Sequence, residues 1–230
     1  MRASSPRVAR AIDIVVAEQP AQVVAGRLAD AARTGGHVVL TGGSSPRQAY
    51  ELAAGLEADW TGVELWWSDE RCVPASDERS NYGMTKAALL DRVRTGPLHR
   101  MRGELGRDEG AQLYDEELSS LERFDLVLLG LGPDGHVASL YPEQATLDET
   151  TRKAVGAEAK LEPFVDRISL TLPMLCHANE VLFLVTGADK ADAAWAAFAG
   201  EPSRATPGSL VRAVEGRTVA VLDAAAAAKL

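Results

Sequence analysis

The sequence is poor in cysteine. Its two, Cys72 and Cys176, lie far apart and form no CxxC pair, which excludes a disulfide framework and a zinc ribbon and makes both expected reduced core residues. It is also short of positive charge, with 24 Lys and Arg against 33 Asp and Glu. The resulting formal charge of -9 sets up a field that repels nucleic acids and anionic membranes, so neither is an expected partner. No apolar run approaches the roughly 20 residues that cross a bilayer. The opening stretch MRASSPRVARAIDIVVAEQP is positively charged but lacks an apolar core of signal-peptide length, and its hydrophobic part reads as a strand. The last residues, Ala228, Lys229 and Leu230, faintly resemble a peroxisomal address, although an alanine-rich helical tail ends the same way. The expected location is the cytoplasm. Histidine is scarce too: His37, His99 and His177 lack partner spacing, and one Asp and one His in a short loop leave metal ligands missing, so no metal site is expected.

What is present is a large apolar share. With 46% hydrophobic residues over 230 positions, the chain can fill the core of one α/β domain spanning residues 1–230. Short Val-, Ile- and Leu-rich runs recur as AIDIVVA, HVVLT, VELWWS, FDLVLLG, RISLTL, EVLFLVT and TVAVLD. Most are apolar on both faces, as strands buried on both sides are. Helically spaced stretches alternate with them: AQVVAGRLADAAR, SPRQAYELAAGL, NYGMTKAALLDRV, EGAQLYDEELSSL and DKADAAWAAFAG. Alternation of this kind predicts a mainly parallel, doubly wound sheet with helices on both faces. Ligands of such sheets bind beyond the carboxyl ends of the strands.

Four strand ends carry chemistry. In HVVLTGGSSPRQAY, Gly42 and Gly43 allow close backbone approach, Ser45 can cap the following helix and Pro46 suits its first turn. Its free N–H groups, with the Ser44 and Ser45 hydroxyls, fit a phosphate, and the same residues also fit a plain capped turn. The second, LWWSDERCVPASDERSNYG, sets Asp69, Glu70 and Arg71 after an apolar strand and reaches Ser80 and Asn81 across a loop. This suits a binding site or a solvated loop whose Ser80 and Asn81 cap a helix. The third, FDLVLLGLGPDGHVASLYP, offers Asp134 and His136 among Gly130, Gly132 and Gly135. An imidazole oriented by a nearby carboxylate suits proton transfer near neutral pH, while a Pro-Asp-Gly turn with an incidental histidine explains the same letters. The fourth pairs Arg167 of RISLT with Lys190 of TGADKADA; a lysine at a helix start opposes the helix dipole unless an anion is bound there.

In this order TGGSSP, SDERCVPASDERSNYG, GLGPDGHVASLYP, RISLT and GADKADA resemble the 6-phosphogluconolactonase subfamily of the glucosamine/galactosamine-6-phosphate isomerase family over nearly the whole chain. The resemblance implies the modified, Rossmann-like doubly wound sheet shared with glucosamine-6-phosphate deaminase, ribose-5-phosphate isomerase and CoA transferases. It implies a sugar phosphate lactone as substrate and no cofactor, in a monomer or small homo-oligomer. Residue by residue, it implies His136 as catalytic base, Asp134 as its partner, Arg71 as a ligand-binding cation, and Gly43, Ser44, Arg167 and Lys190 as the phosphate site. Gly42, Ser45, Asp69 and Asn81 complete the expected substrate-binding set. Ser45 stands where the family often has Thr, which keeps the hydroxyl.

Two other functions stand beside the hydrolase. An amino-sugar phosphate deaminase of this family follows its DGH with a sequence resembling IAFNEP, and Tyr141 occupies the place of that catalytic Glu. A sugar-phosphate-sensing module would need no His and Asp, and a DNA-binding partner segment would sit poorly with an acidic chain.

Overall fold

The computed structural model describes residues 11–230, so the charged stretch before Ala11 lies outside the described residues. In chain order the elements are β1 (Ile12–Val16), α1 (Pro20–Thr34), β2 (Gly36–Leu40), α2 (Ser44–Ala53), β3 (Val63–Trp67), β4 (Asp69–Arg71), α3 (Asn81–Thr85) and β5 (Leu98–His99). There follow α4 (Arg107–Glu117), β6 (Phe124–Leu129), β7 (Ala154–Ala157), β8 (Arg167–Leu170), α5 (Leu172–Cys176), β9 (Ala178–Val185), α6 (Ala191–Phe198) and β10 (Arg217–Leu222).

Seven strands form one sheet in the order β1-β10-β9-β6-β2-β3-β5, with every neighbouring pair parallel. Alternate residues of each strand face opposite layers. Leu126 and Leu128 pack with α1 and α2, while Val127 and Leu129 pack with α4, α5 and α6. This explains why the strands read as apolar runs without alternation. From β2 the chain proceeds through β3 to β5 in one direction, and from β6 through β9 to β10 in the other. The reversal falls between β2 and β6, and a doubly wound sheet opens its ligand crevice outside the carboxyl ends at such a point.

Two buried tyrosines fix the strand ends at that crevice. The Tyr50 hydroxyl accepts from the Thr41 N–H and donates to the Thr41 carbonyl, both at 2.8 Å. The Tyr114 hydroxyl does the same for Trp67, at 2.9 and 3.2 Å. Burial pushes both phenols up, so each remains a neutral donor and acceptor.

The remaining strands depart from the sequence expectation. RISLT does not join the main sheet; as β8 it forms a three-stranded antiparallel sheet, β4-β8-β7. Asp69–Arg71, whose charges suit a binding site or a solvated loop, is its edge strand. The switch occurs at Ser68, whose N–H donates to Leu40 of the main sheet and whose carbonyl accepts from Leu170 of the small one, each at 2.8 Å. The helix beginning at Asn81 runs as α3 for five residues and then widens into one π turn, Lys86–Leu90. The alanine tract after β10 forms turns rather than the expected helical tail, the Ala226 N–H donating to Asp223 Oδ1 at 2.7 Å. No helix among the described residues is long and apolar enough to cross a membrane.

Candidate active site

A cavity of about 260 Å³ opens at the carboxyl ends of the central strands. Four segments distant in sequence meet there. The β2–α2 turn contributes Gly42, Gly43, Ser44 and Ser45; β4 and α3 contribute Asp69, Arg71 and Asn81; the loop after β6 contributes His136; the segment after β9 contributes Lys190. Of the expected residues, Asp134 and Arg167 lie outside this wall, Asp134 touching His136 and Arg167 paired with Arg71 on the neighbouring strand.

The β2–α2 turn is a set of open donors. Gly43 sits at φ 112°, a left-handed conformation that favours glycine. A side chain at Gly42 would place its Cβ 2.0 Å from Asn81 Oδ1. The helix starts at Ser44 without a side-chain cap, so Ser45 is not the cap expected from sequence. Its hydroxyl instead pairs with Thr186 at 2.6 Å, fastening this turn to the segment after β9. Pro46 has no N–H and Arg47 makes the first intrahelical bond, so the Ser44 and Ser45 N–H groups have no acceptor among the described residues. Open N–H groups at a helix start, beside the Lys190 ammonium, form an anion-binding geometry.

Opposite stands β4. Glu70, 3% exposed, accepts from the N–H groups of Arg71, Asn81 and Tyr82 and from the Ser80 hydroxyl, at 2.7 to 2.9 Å. Burial raises its carboxyl pKa, and these four donors oppose the rise without cancelling it. Ser80 is a true helix cap, its oxygen accepting from the Gly83 N–H at 3.0 Å. Asn81 donates to the Asp69 carbonyl at 2.9 Å and to its carboxylate at 3.2 Å.

Arg71 and Arg167 face each other across the β4–β8 ladder. Directly opposed side chains share one face of a sheet, and like charges so placed repel. Arg71 Nη1 donates to the Arg79 carbonyl at 2.5 Å, and Arg167 Nη2 to the carbonyls of Leu161 and Pro163 at 3.4 and 3.1 Å. The Nε of each is buried with no partner, and neither pairs with a carboxylate, among the described residues. Arg71 therefore brings a guanidinium without an ion-pair partner into the cavity wall, near the Asp69 carboxylate, with the buried Arg167 next to it in the ladder.

In the loop after β6, Asp134 Oδ1 accepts from His136 Nδ1 at 2.5 Å and from the His136 backbone N–H at 3.1 Å. A side chain at Gly132 would enter the imidazole, its Cβ 2.0 Å from His136 Nδ1. Burial raises the Asp134 carboxyl pKa, but the hydrogen bond and charge of His136 outweigh it and hold the carboxyl below its ordinary value. An ionised carboxylate only accepts, so Nδ1 carries a proton and Nε2, unpartnered among the described residues, is the basic nitrogen. The Tyr141 ring packs on the imidazole at 5.1 Å between centroids. No group of three or more His, Cys, Asp or Glu among the described residues is placed to hold a metal ion.

Sequence reasoning passed over Thr41, Thr186 and Ala138 in the wall, and it singled out Glu70 only as one of three charges at a strand end, without the buried role it has beneath the wall. Thr186 had a signal, its place between a strand and Gly187. Cys72, next to Arg71, gives a first prediction. Burial, reinforced by Asp166 and Glu70, pushes its thiol up to about 11. At pH 8 only about one part in a thousand is then thiolate, the reactive form. In a Cys176→Ser background, a disulfide-exchange reagent is expected to label the native protein far more slowly than the unfolded chain, and equal rates would refute this environment.

A doubly wound sheet with an imidazole–carboxylate pair and a turn of open N–H groups at its switch point defines an α/β protein of the kind that carries its site beyond the carboxyl ends of the strands. The chain belongs to the glucosamine-6-phosphate isomerases/6-phosphogluconolactonase family, whose model matches residues 13–220. It is 39% identical over 222 residues to the 6-phosphogluconolactonase of Streptomyces coelicolor, covering 88% of this chain and 85% of that protein. The 6-phosphogluconolactonase of Thermotoga maritima superposes with a TM-score of 0.80 at 27% identity, over 93% of this chain and 99% of that one. A monomeric glucosamine-6-phosphate deaminase shares the fold, with a TM-score of 0.85 at 16% identity over 96% of this chain and all of that one.

Proposed function

We propose that this protein hydrolyses 6-phospho-D-glucono-1,5-lactone to 6-phospho-D-gluconate, the hydrolytic step of the oxidative pentose phosphate pathway. The observation that carries the reading is the His136–Asp134 pair on the wall of a cavity whose other segments supply open N–H groups and cations. Nε2 of His136 takes a proton from water as the water oxygen bonds to C1 of the lactone, and the carbonyl electron pair moves onto its oxygen. Asp134 stabilises the imidazolium so formed. As the intermediate collapses, the C1–O5 bond breaks and Nε2 returns the proton to O5. No nucleophilic side chain is needed, because the lactone is already activated and positioning plus one base lowers the barrier by several orders of magnitude. The phosphate sits on the Ser44 and Ser45 N–H groups and Lys190, with Arg71 and Arg167 adding positive potential. Tyr141, a phenol packed on His136, offers no carboxyl for amino-sugar deamination.

The decisive measurement is turnover of freshly made lactone with buffer hydrolysis subtracted, alongside ammonia release from glucosamine 6-phosphate. Lactone turnover without ammonia release is the expected result, and the reverse would overturn the proposal. Lys190→Ala is expected to raise KM for the phosphorylated lactone about tenfold to a hundredfold, the loss of one charge-assisted hydrogen bond. Unphosphorylated gluconolactone never engages Lys190, so its slow hydrolysis should not change. Equal losses on both lactones would remove Lys190 from the phosphate site.

A further inference from the structure

The loop that carries His136 contains a strained residue that the mechanism above leaves without a task. Ala138 has φ 49°, in the left-handed region that L residues with a Cβ avoid. Leu140 N–H donates to the Val137 carbonyl at 2.9 Å, closing a four-residue turn with Ala138 second. Positive φ at that position alone marks a type II′ turn, where glycine is favoured. An alanine persists there only because its surroundings hold it. Ser139 does so on one side: its hydroxyl donates to Asp69 Oδ2 at 2.7 Å and its N–H to Ser169 Oγ at 3.2 Å, both buried. On the other side the His136 carbonyl accepts from the Gly132 N–H at 2.9 Å. Two of the three small-sheet strands, β4 through Asp69 and β8 through Ser169, therefore clamp the turn.

This clamping leaves one backbone donor over. The Ala138 N–H has no acceptor among the described residues, and Ala138 is half-buried in the cavity wall two residues from the base. Backbone donors kept unpaired in a site serve where negative charge develops. We infer that the Ala138 N–H is an oxyanion donor: when water adds to C1 and the carbonyl pair moves onto oxygen, that oxygen takes its hydrogen bond from this group, which the strained turn holds in place beforehand. When C1–O5 breaks, the pair returns to form the carboxyl C=O and the bond is released. The inference rests on the lactonase reading, so wild-type turnover is measured first; its absence sinks that reading, and everything below tests the donor alone.

The test is an amide-to-ester exchange. Lactic acid inserted in place of Ala138 by nonsense suppression keeps the methyl group and replaces N–H by O. The expected result is a kcat lower by about 10² to 10³, the usual effect of deleting one oxyanion donor, with KM changed by less than about threefold. The matching ester at Leu140 removes the turn hydrogen bond while keeping the Ala138 N–H, and is expected to retain kcat within about threefold. A full kcat in the 138 ester, or equal losses in both, overturns the assignment. Should the 138 ester not fold, the wild-type enzyme decides: the Ala138 amide proton is expected to shift downfield on binding a cyclic phosphonate that mimics the tetrahedral anion. An unmoved resonance in the saturated complex rejects the donor.

Discussion

Replacing His136 by alanine is expected to lower kcat for the phosphorylated lactone by roughly 10² to 10⁴, the range a positioned general base contributes. KM should change little, because the phosphate contacts lie on other segments and do not involve the imidazole. Folding should survive as well: the side chain is 22% exposed, and its hydrogen bonds are local ones to Asp134. Exogenous imidazole, small enough for the vacated volume, is expected to restore part of the rate in proportion to its neutral form. Asp134→Asn separates the two members of the pair. An amide can donate to Nδ1, which drives the proton to Nε2 and removes the base, so this variant should lose kcat while His136 stays in place. Because the Asp134 carboxyl is held below its ordinary value, whatever the pair adds to stability is present above the ordinary carboxylate pKa and fades as pH falls through the lowered one. Asp134 is 36% exposed, so solvent screening keeps that contribution small. Near-wild-type turnover in His136→Ala would exclude the imidazole as the base.

The strands of the main sheet were legible because their signal is local: a buried parallel strand is an apolar run between turn residues, and six of the seven runs join this sheet. The two-residue β5 and the glycine-containing β7 gave no such run. RISLT misled for a related reason, since local composition does not say which sheet an apolar strand joins. Its place beside β4 depends on Ser68 turning the chain from one ladder to the other. The site was legible to the extent that glycine, proline and charge cluster at strand ends. TGGSSP exposes its donors through residue type alone, and the DGH spacing brings carboxylate and imidazole together within one loop. What stayed hidden is set by long-range pairing. The opposition of Arg71 and Arg167, the clamps of Tyr50 and Tyr114, and the bond that diverts Ser45 from capping to Thr186 each depend on a partner that the residue's own neighbourhood does not specify.

Glu70 is the strongest instance of such hidden structure, and Glu70→Ala is expected to destabilise the protein by about 3 to 5 kcal/mol. Three backbone N–H groups, of Arg71, Asn81 and Tyr82, end on this one carboxylate, together with the Ser80 hydroxyl. Asn81 and Tyr82 begin α3, so the carboxylate of a distant strand satisfies the first orphan donors of that helix while Ser80 satisfies the next. Alanine leaves all three N–H groups, that of Asn81 buried and those of Arg71 and Tyr82 partly so, without an acceptor, at about 1 to 3 kcal/mol each, and water admitted to the vacated space recovers part of that. For a chain of this size the change corresponds to a fall in Tm of roughly 6 to 20 °C. Glu70→Gln keeps one carbonyl oxygen, so it should lose less. The damage is expected to reach activity through Asn81, whose amide ties Asp69 and whose oxygen lies against Gly42. Below its own Tm the alanine variant should therefore show a higher KM as well. A Tm within about 2 °C of wild type, less than 1 kcal/mol at this length, would mean that solvent already serves these donors and that Glu70 does not hold β4 to α3.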